Sequence, residues 1–170
     1  KNISLVFNGE IYNYIELRKE LKLNGVKFKS NSDTEVLLKL YEINGENFVN
    51  KINGMFAICI FDNLKNKILV YRDRLGIKPL FFLKNEKNIV FSSNLNSFKS
   101  YLKSTEKSKL NFSLFLLLNY FPSNKTVYEN IQKLKPGEFI KIENNKFSIN
   151  KYWEVNEIKK EKLKKDEINY

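Results

Sequence analysis

The feature of this sequence that most constrains its fold is a nearly continuous apolar run at residues 55–61, directly after Gly54. A run without polar alternation is typical of a β-strand that is buried on both faces. A polar turn at residues 62–66 follows, and residues 67–71 alternate as the returning strand of a hairpin does. The sequence therefore predicts a β-hairpin whose first strand lies inside the protein.

Further strand patterns occur on either side of this hairpin, and each is short and bounded by turn residues. They lie at residues 3–7, 26–28, 80–83, 89–91, 139–142 and 146–149. The strands between residues 55 and 91 are predicted to form a meander of at least four. The last two are predicted to pair around Asn144-Asn145. The first is expected to end at Asn8-Gly9-Glu10, which breaks the apolar run.

Helical periods precede the hairpin and predict helices at residues 14–24, 32–45 and 46–52. Asn13 is placed to cap the first of these helices, and Gly25 is placed to end it in the left-handed conformation. Ser32 and Glu35 match the capping box, which is typical of a helix start.

Residues 112–121 are the most apolar stretch, and we expect a helix there that is buried in the protein. No run reaches 18 apolar residues, so no transmembrane helix is expected. Residues 158–168 are predicted to form either an exposed helix or the beginning of a further domain. The mixed order of helices and strands favours an α+β fold over a doubly wound one.

The formal net charge of +11 invites a nucleic-acid interpretation, which the residue types oppose. Arg18, Arg72 and Arg74 are the only arginines, and the lysines are spread along the chain, whereas nucleic-acid sites favour arginine forks and basic patches. We expect neither a nucleic-acid nor a membrane partner. With no His and a single Cys, we expect no metal site and no internal disulfide, and a cytoplasmic location is the prediction.

Four segments carry the most specific signal when they are taken together and in order. They are Asn8-Gly9-Glu10-Ile11-Tyr12-Asn13-Tyr14, Ser32-Asp33-Thr34-Glu35, Asn53-Gly54-Met55-Phe56-Ala57 and Arg72-Asp73-Arg74-Leu75-Gly76-Ile77-Lys78-Pro79-Leu80. Their order and spacing resemble the class II glutamine amidotransferase domain, an N-terminal-nucleophile hydrolase. The first and last segments resemble its asparagine synthetase branch. Residues 119–153 resemble the linker of that branch into its ATP-dependent synthetase domain.

This resemblance implies a four-layer αββα sandwich whose first strand is missing. Residues 1–110 would be a partial amidotransferase type 2 domain, residues 111–153 its end and the linker, and residues 154–170 the start of a truncated synthetase domain. Glutamine would be hydrolysed to supply ammonia for the ATP-dependent amidation of aspartate. ATP and Mg²⁺ would belong to the synthetase domain, with no cofactor in this one. That domain would be the partner within the chain, and the intact protein could form a homodimer.

Asn8 and Gly9 are the candidate catalytic residues. Hydrolysis of an amide passes through a tetrahedral oxyanion, and a side-chain amide beside a glycine N–H offers two hydrogen-bond donors to it. From the dipeptide alone, a plain Asn-Gly turn is the alternative. The resemblance gives the matching pair the role of the oxyanion hole.

Asp33 and Glu10 are the candidate substrate-binding residues. A carboxylate at a helix start, such as Asp33, commonly interacts with the helix dipole alone. The resemblance implies that Asp33 also binds the α-ammonium of glutamine, because a carboxylate forms strong charge-assisted hydrogen bonds with it. Glu10 is implied as a second contact near the same ammonium.

The sequence departs from the family pattern at three points. Lys1 is not the N-terminal cysteine whose own α-amine serves as base in the family, and the arginine that would hold the glutamine carboxylate is missing. Asn94 stands where the family usually has Glu, and its role is left open. Because the nucleophile is absent, we expect the chain alone not to hydrolyse glutamine. Cys59 lies within the apolar strand, where an inert buried thiol is expected.

Residues 72–80 are interpreted as a scaffold, with Asp73 paired to Arg72 or Arg74. Two functional alternatives remain open at this point. One is an amidotransferase of the same design that feeds another acceptor, such as a surface sugar or a peptide amide. The other is a degenerate, non-catalytic module.

Overall fold

The secondary structure consists of eight strands, three α-helices and two 3₁₀ helices within residues 2–86, 88–101 and 107–155, which this computed structural model describes. The strands are β1 (Ile3–Ile11), β2 (Gly54–Asp62), β3 (Lys67–Arg72), β4 (Phe81–Lys84), β5 (Ile89–Ser92), β6 (Ile131–Lys133), β7 (Glu138–Glu143) and β8 (Lys146–Lys151). The α-helices are α1 (Tyr14–Leu23), α2 (Asp33–Asn44) and α3 (Lys109–Leu118), and the 3₁₀ helices span Gly45–Asn50 and Leu95–Tyr101. The helix considered for residues 158–168 lies outside the described residues.

The strands divide between two antiparallel sheets. The larger has the order β1-β2-β3-β7-β8, and the smaller has the order β5-β4-β6. The predicted single meander is therefore wrong, since β2 and β3 lie in one sheet and β4 and β5 in the other. Apolar alternation identifies a strand but not its partner, and β3 pairs with β7 much later in the chain. Strands β6 to β8 build residues 131–151 into both sheets.

The larger sheet is covered on both faces, as its apolar strand β2 predicts. α1, α2 and the first 3₁₀ helix cover one face and bury Val36, Leu37, Leu40, Phe48 and Phe56. The smaller sheet covers the other face, where Ala57 of β2 and Phe82 of β4 belong to a second core. Beyond the smaller sheet, Leu83 packs with Phe98 of the second 3₁₀ helix. This order of helix, sheet, sheet and helix confirms the expected α+β sandwich.

β1 is longer than the sequence predicts. It continues through Asn8-Gly9-Glu10 to Ile11 and pairs with β2 along its whole length, from Ile3 opposite Asp62 to Ile11 opposite Gly54. The prediction that Asn8 ends the strand is wrong because pairing with β2 outweighs the turn preference of Asn-Gly. The strand predicted at residues 26–28 is also absent, although Val26 and Phe28 still pack against the helix-side core.

The starts and ends of the first two helices agree with the predictions. Ser32 Oγ accepts from the N–H of Glu35, as in a capping box. The Glu35 carboxylate instead accepts from the N–H groups of Lys29 and Ser30, and so fixes the loop before α2. These hydrogen bonds, that from Lys29 foremost, lower the pKa of Glu35 to about 2. Gly25 follows α1 with φ +82°, in the left-handed region that favours glycine.

The helix predicted from the apolar run at residues 112–121 is present as α3, but it is not buried. Asn111 is its only fully buried residue, while Leu116 is 64% and Leu117 is 77% exposed. The prediction of burial is wrong here because no described element packs over the apolar side of the helix. Within the described ranges, every helix is too short or too polar to cross a membrane.

Candidate functional site

β1 is an edge strand, and its backbone groups alternate between β2 and the open edge of the sheet. The N–H of Tyr12 donates to the carbonyl of Asn53 at 2.8 Å. Because the pattern repeats every second residue, the backbone N–H groups of the even-numbered residues before Tyr12 also point to β2. The odd-numbered residues Gly9 and Ile11 therefore direct their N–H groups to the open edge. The Ile11 N–H donates there to Asp33 Oδ2 at 3.2 Å.

The backbone of Gly9 lies at the open edge and also close to β2. Among the described residues, no group accepts a hydrogen bond from its N–H. Gly9 lies opposite Phe56, and a Cβ at Gly9 would lie only 2.1 Å from the carbonyl oxygen of Met55. The strands thus approach too closely for a side chain here. This packing therefore requires glycine. The lack of a side chain also leaves the Gly9 N–H accessible from the open edge of the sheet.

Asn8 and Glu10 project from the face of β1 that turns toward the smaller sheet. Asn8 lies opposite Ala57, whose side chain belongs to the core between the two sheets. Both Asn8 and Glu10 are nevertheless exposed, since the smaller sheet leaves this part of β1 uncovered. The Asn8 amide therefore borders the edge at which the Gly9 N–H emerges.

Asp33 is the first residue of α2 and lies beside the same edge. Its Oδ2 accepts from the Ile11 N–H, and its Oδ1 accepts from Thr34 Oγ1 at 3.4 Å. No layer of core separates Asp33 from β1, because the hydrogen bond joins them directly. The structure thus brings the four predicted site residues to one end of β1. Asp33 contacts Ile11, which directly follows Glu10.

The loop that enters β2 is held against this end of β1 by polar side chains. Asn13 Nδ2 donates to the carbonyl of Lys51 at 3.0 Å, and its Oδ1 accepts from the N–H of Asn53 at 2.9 Å. Arg74 donates to the carbonyl of Ile52 at 2.8 Å. Asn13 occupies the N-cap position of α1 but makes no capping hydrogen bond, so the capping prediction for its side chain is wrong. The sequence analysis missed this role, although Asn13 lies in the same motif as Asn8.

Asp73 is buried and serves the backbone rather than an arginine. Its carboxylate accepts from the N–H groups of Phe56, Leu75, Ile77 and Lys78. The expected ion pair of Asp73 with Arg72 or Arg74 is wrong, since no such pair lies within 4.0 Å in the described part of the chain. The reason is that the tight turn leaves buried N–H groups which need an acceptor.

Arg72 complements Asp73 because it donates hydrogen bonds to the carbonyl groups around the same turn. Its guanidinium donates to the carbonyl oxygens of Lys78, Gly76 and Leu134 at 2.6–2.9 Å. Burial lowers the pKa of Arg72, and the neighbouring Asp73 partly offsets this effect. Together the two residues tie β2, the turn and the approach to β7 into one unit, which is the scaffold role expected of residues 72–80.

Cys59 and Asn94, the other two residues considered from the sequence, have local structural surroundings of their own. Cys59 is partly buried and packs against the core between the sheets, and desolvation raises the pKa of its thiol to about 11. A protonated thiol in an apolar setting is a poor nucleophile, as the sequence predicts. Asn94 Oδ1 accepts from the N–H of Asn96 at 2.9 Å and so shapes the start of the second 3₁₀ helix.

Two broad clefts lie elsewhere on the surface. One, of about 920 Å³, runs between the first half of β1 and α2, and the other, of about 900 Å³, lies on β7 and β8. Neither is lined by Asn8, Gly9, Glu10 or Asp33. The candidate site lies at the open edge of the larger sheet, apart from these two clefts. Within the described residues, no three carboxylate or thiol side chains are grouped as a metal site requires.

The chain matches a family model and curated relatives over most of its length. The model of a glutamine amidotransferase domain matches residues 1–153. The putative asparagine synthetase (glutamine-hydrolyzing) 2 of Methanocaldococcus jannaschii is 37% identical over 163 residues, covering 93% of this chain and 31% of the relative. Asparagine synthetase (glutamine-hydrolyzing) 2 of Bacillus subtilis is 36% identical over 165 residues, covering 92% of this chain and 22% of the relative. The chain thus spans less than a third of the length of these relatives.

Solved structures share the fold at low sequence identity. Glutamine phosphoribosylpyrophosphate amidotransferase from B. subtilis superposes with a TM-score of 0.63 at 21% identity, covering 88% of this chain and 29% of the other. A glutamine aminotransferase class-II domain protein from Silicibacter pomeroyi superposes with a TM-score of 0.52 at 11% identity, covering 90% and 67%. Because the family model covers most of the described chain, this protein belongs to the glutamine amidotransferase domain family, and it matches the glutaminase halves of asparagine synthetases.

Proposed function

We propose that this chain supplies ammonia from glutamine for the ATP-dependent amidation of aspartate within an asparagine synthetase. The observation that carries the proposal is the hydrogen bond between Asp33 and Ile11, which joins the acidic start of α2 to the strand that presents Asn8 and Gly9. Glutamine suits this arrangement because it has an amide at one end and an ammonium at the other. The names of the curated relatives support aspartate as the acceptor.

The amide end of glutamine would react beside Asn8 and Gly9. Attack of a cysteine thiolate on the side-chain carbonyl carbon forms a tetrahedral intermediate and places negative charge on the oxygen. The Gly9 N–H is free for that oxygen, and the exposed Asn8 amide borders the same edge. The intermediate then collapses as the C–N bond breaks and the nitrogen leaves, once protonated, as ammonia. Water hydrolyses the remaining thioester to glutamate.

The amino end of glutamine would bind at Asp33, with Glu10 as a second contact. A carboxylate that already accepts the Ile11 N–H keeps acceptor positions for an ammonium. Both acidic side chains lie near the end of β1, a short distance along the strand from Gly9. The spacing of the two groups along one strand end supports binding of a single extended amino acid.

The 170-residue chain alone would bind glutamine without hydrolysing it. The nucleophile of this chemistry is a cysteine with a nearby base. Cys59, the only cysteine, is partly buried and its pKa is raised. Incubation of the 170-residue chain with glutamine should therefore release no glutamate above the rate in buffer. Release that disappears on the substitution Cys59→Ser would contradict this part of the proposal.

ATP and Mg²⁺ would bind in a second, synthetase domain of the same polypeptide, and no cofactor would bind in this one. The single cysteine and the absence of His are in keeping with a cytoplasmic enzyme that needs neither disulfides nor zinc here.

The substitution Asn8→Ala in the intact polypeptide tests the proposal. We expect glutamine hydrolysis to fall by about 100- to 1000-fold, the usual loss when one oxyanion donor is removed. Asparagine synthesis from free ammonia should stay unchanged. Ser4→Ala is the matched control, because Ser4 is also exposed and lies on the same face of β1. Equal loss of both activities would reject the oxyanion role, and amidation of a substrate other than aspartate would reject the proposed acceptor.

A further inference from the structure

Arg18 of α1 reaches from its helix to the loop that precedes α2. Its guanidinium lies over the ring of Phe28, 4.5 Å from the ring centre, and its Nη2 donates to the carbonyl of Ser30. Phe28 in turn packs against the helix-side core. A planar guanidinium can stack on a ring and donate in its own plane at the same time. Arg18 therefore fixes both a side chain and a backbone group of this loop.

Glu35 of α2 holds the same loop from its other side. The carboxylate accepts from the N–H groups of Lys29 and Ser30 at 2.8 and 2.6 Å, and from Ser30 Oγ at 2.7 Å. These hydrogen bonds keep the pKa of Glu35 low, and the positive charge of Arg18 adds to their effect. Residues 28–30 are thus held between α1 and α2 by contacts with both helices.

The first turn of α2, which carries Asp33, depends on this loop for its position. Val36 is the first residue of α2 that is buried in the core, so the turn before it has no apolar anchor. Its anchors are polar, and they are the Ser32 cap on one side and the hydrogen bond from the Ile11 N–H to Asp33 on the other. Segments with few buried apolar contacts open most easily. A shift of the loop would therefore move the Asp33 carboxylate relative to β1.

The position of Arg18 is unfavourable for stability in one respect. Its Nη1 is buried, and within residues 2–86, 88–101 and 107–155 no group accepts a hydrogen bond from this atom. A buried donor without an acceptor destabilises a fold. This cost favours a positional role for Arg18 over a purely stabilising one.

We infer that Arg18 is a positioning residue for glutamine, because it fixes the loop at residues 28–32 and, through this loop, the carboxylate that binds the substrate ammonium. This inference rests on the proposed function and adds to it a residue of α1 that acts through Asp33 without being a contact of glutamine itself. Arg18 acts on the amino end of the substrate, since Asn8 and Gly9 are held in place by pairing with β2.

Arg18→Ala in the intact polypeptide tests this role through the separate kinetic constants of glutamine hydrolysis. We expect the KM for glutamine to rise about tenfold, with kcat and synthesis from free ammonia unchanged. Arg18→Lys keeps the charge but lacks the planar fork that stacks on Phe28, so its KM should rise by about threefold. Lys19→Ala is the matched control, because Lys19 is an exposed cation at the next position of α1. An unchanged KM in either Arg18 variant would overturn the inference.

Combination with Asp33→Asn separates positioning from a general loss of structure. If Arg18 acts through Asp33, Arg18→Ala should change the KM by less than about twofold in the Asp33→Asn protein. Independent effects would multiply instead. A KM equal to the product of the two single changes would therefore overturn the inference.

Hydrogen exchange of the 170-residue chain measures the placement of Asp33 without any catalysis. The Ile11 N–H, which donates to Asp33, should exchange about tenfold faster in the Arg18→Ala chain, while the N–H of Val70 within β3 should keep its rate. Equal acceleration at Ile11 and Val70 would indicate a general loss of stability, and no change at Ile11 would show that Asp33 does not depend on Arg18. Either result would overturn the inference. Absence of glutamine hydrolysis in the unaltered intact protein would instead reject the proposed function.

Discussion

The carboxylate of Asp33, the first residue of α2, accepts a hydrogen bond of 3.2 Å from the N–H of Ile11, the last residue of β1. This contact places an acidic helix start against the open edge of a sheet whose next outward N–H, that of Gly9, is free. It joins two motifs that lie 22 residues apart in the sequence. Neither motif alone distinguishes a substrate contact from an ordinary turn or cap.

Asp33→Asn should raise the KM for glutamine by about 10- to 100-fold, since a hydrogen bond to a charged group contributes about 1.5–3 kcal/mol. Turnover at saturating glutamine should change much less, because the reacting amide lies at the other end of the molecule. Glu16→Gln is the matched control, since Glu16 is an exposed acidic residue in the first turn of α1. Equal changes in KM for both variants would contradict binding of glutamine by Asp33 and would leave it only an interaction with the helix dipole.

Gly9→Ala should destabilise the chain by about 3 kcal/mol, because its Cβ would overlap the carbonyl of Met55 and overpacking of this kind cannot relax easily between paired strands. Urea denaturation measures the change. Gly25→Ala is the comparison: no atom lies within 4 Å of its Cβ position, and the cost of about 1 to 2 kcal/mol comes from its φ of +82° alone. A smaller loss at Gly9 than at Gly25 would show that β1 and β2 can separate.

Much of the local structure could be predicted from the sequence, because local chemistry determines it. Ser32 caps α2 as its spacing to Glu35 indicates, and the Asn144-Asn145 pair forms the expected turn, with both residues at positive φ. Strand partners could not be predicted in the same way. The assignment of β2 and β4 to different sheets depends on β6 and β7, which lie far along the chain.

The candidate site residues could be named from their sequence motifs. Their backbone conformation and their hydrogen-bond partners could be known only from the structure. The Asn-Gly pair predicts a turn at Asn8, but pairing with β2 keeps this residue inside a strand. The sequence predicts an ion pair between Asp73 and an arginine such as Arg72. In the structure, Asp73 instead accepts hydrogen bonds from backbone N–H groups, and Arg72 donates to backbone carbonyl groups. Sequence spacing does not reveal which backbone donors are left without partners after folding.

Glu46 takes part in a ring of alternating charges that should make stability depend on acid pH. Lys67 contacts Glu46 at 2.6 Å and Glu143 at 2.9 Å, and Lys141 contacts the same two carboxylates at 2.9 and 3.0 Å. Burial acts to raise the pKa of Glu46, but the hydrogen bonds from Lys67 and Lys141 outweigh it, and the pKa lies below its usual value of 4.5. The stabilisation is thus present above pH 4.5 and is lost as the pH falls through the lower, folded-state pKa.

Glu46→Gln should therefore lower the melting temperature by about 3 °C at pH 7, in line with about 1 kcal/mol for a partly exposed ion pair. The difference from the unaltered chain should shrink as the pH falls below 4.5, because protonation then removes the same charge. Thermal melts at several pH values measure this. Glu154→Gln removes an exposed pair with Lys151 and should change little. A difference that persists at low pH would assign the effect to packing.

Asp73→Asn should be among the most destabilising conservative changes in this chain. An asparagine keeps one acceptor oxygen and turns its other atom into a donor, so that N–H groups now bound by Oδ2, those of Phe56 and Lys78, lose their acceptor. Each unpaired buried donor costs about 1–3 kcal/mol, which predicts a loss of about 3 kcal/mol and a melting temperature lower by about 10 °C. Asp62→Asn is the matched control. Asp62 is equally buried, but its Oδ2 accepts from the hydroxyl of Tyr41, which can itself accept from an asparagine amide. If the two variants melt together, the backbone donors around Asp73 find other partners, and the turn does not depend on its carboxylate.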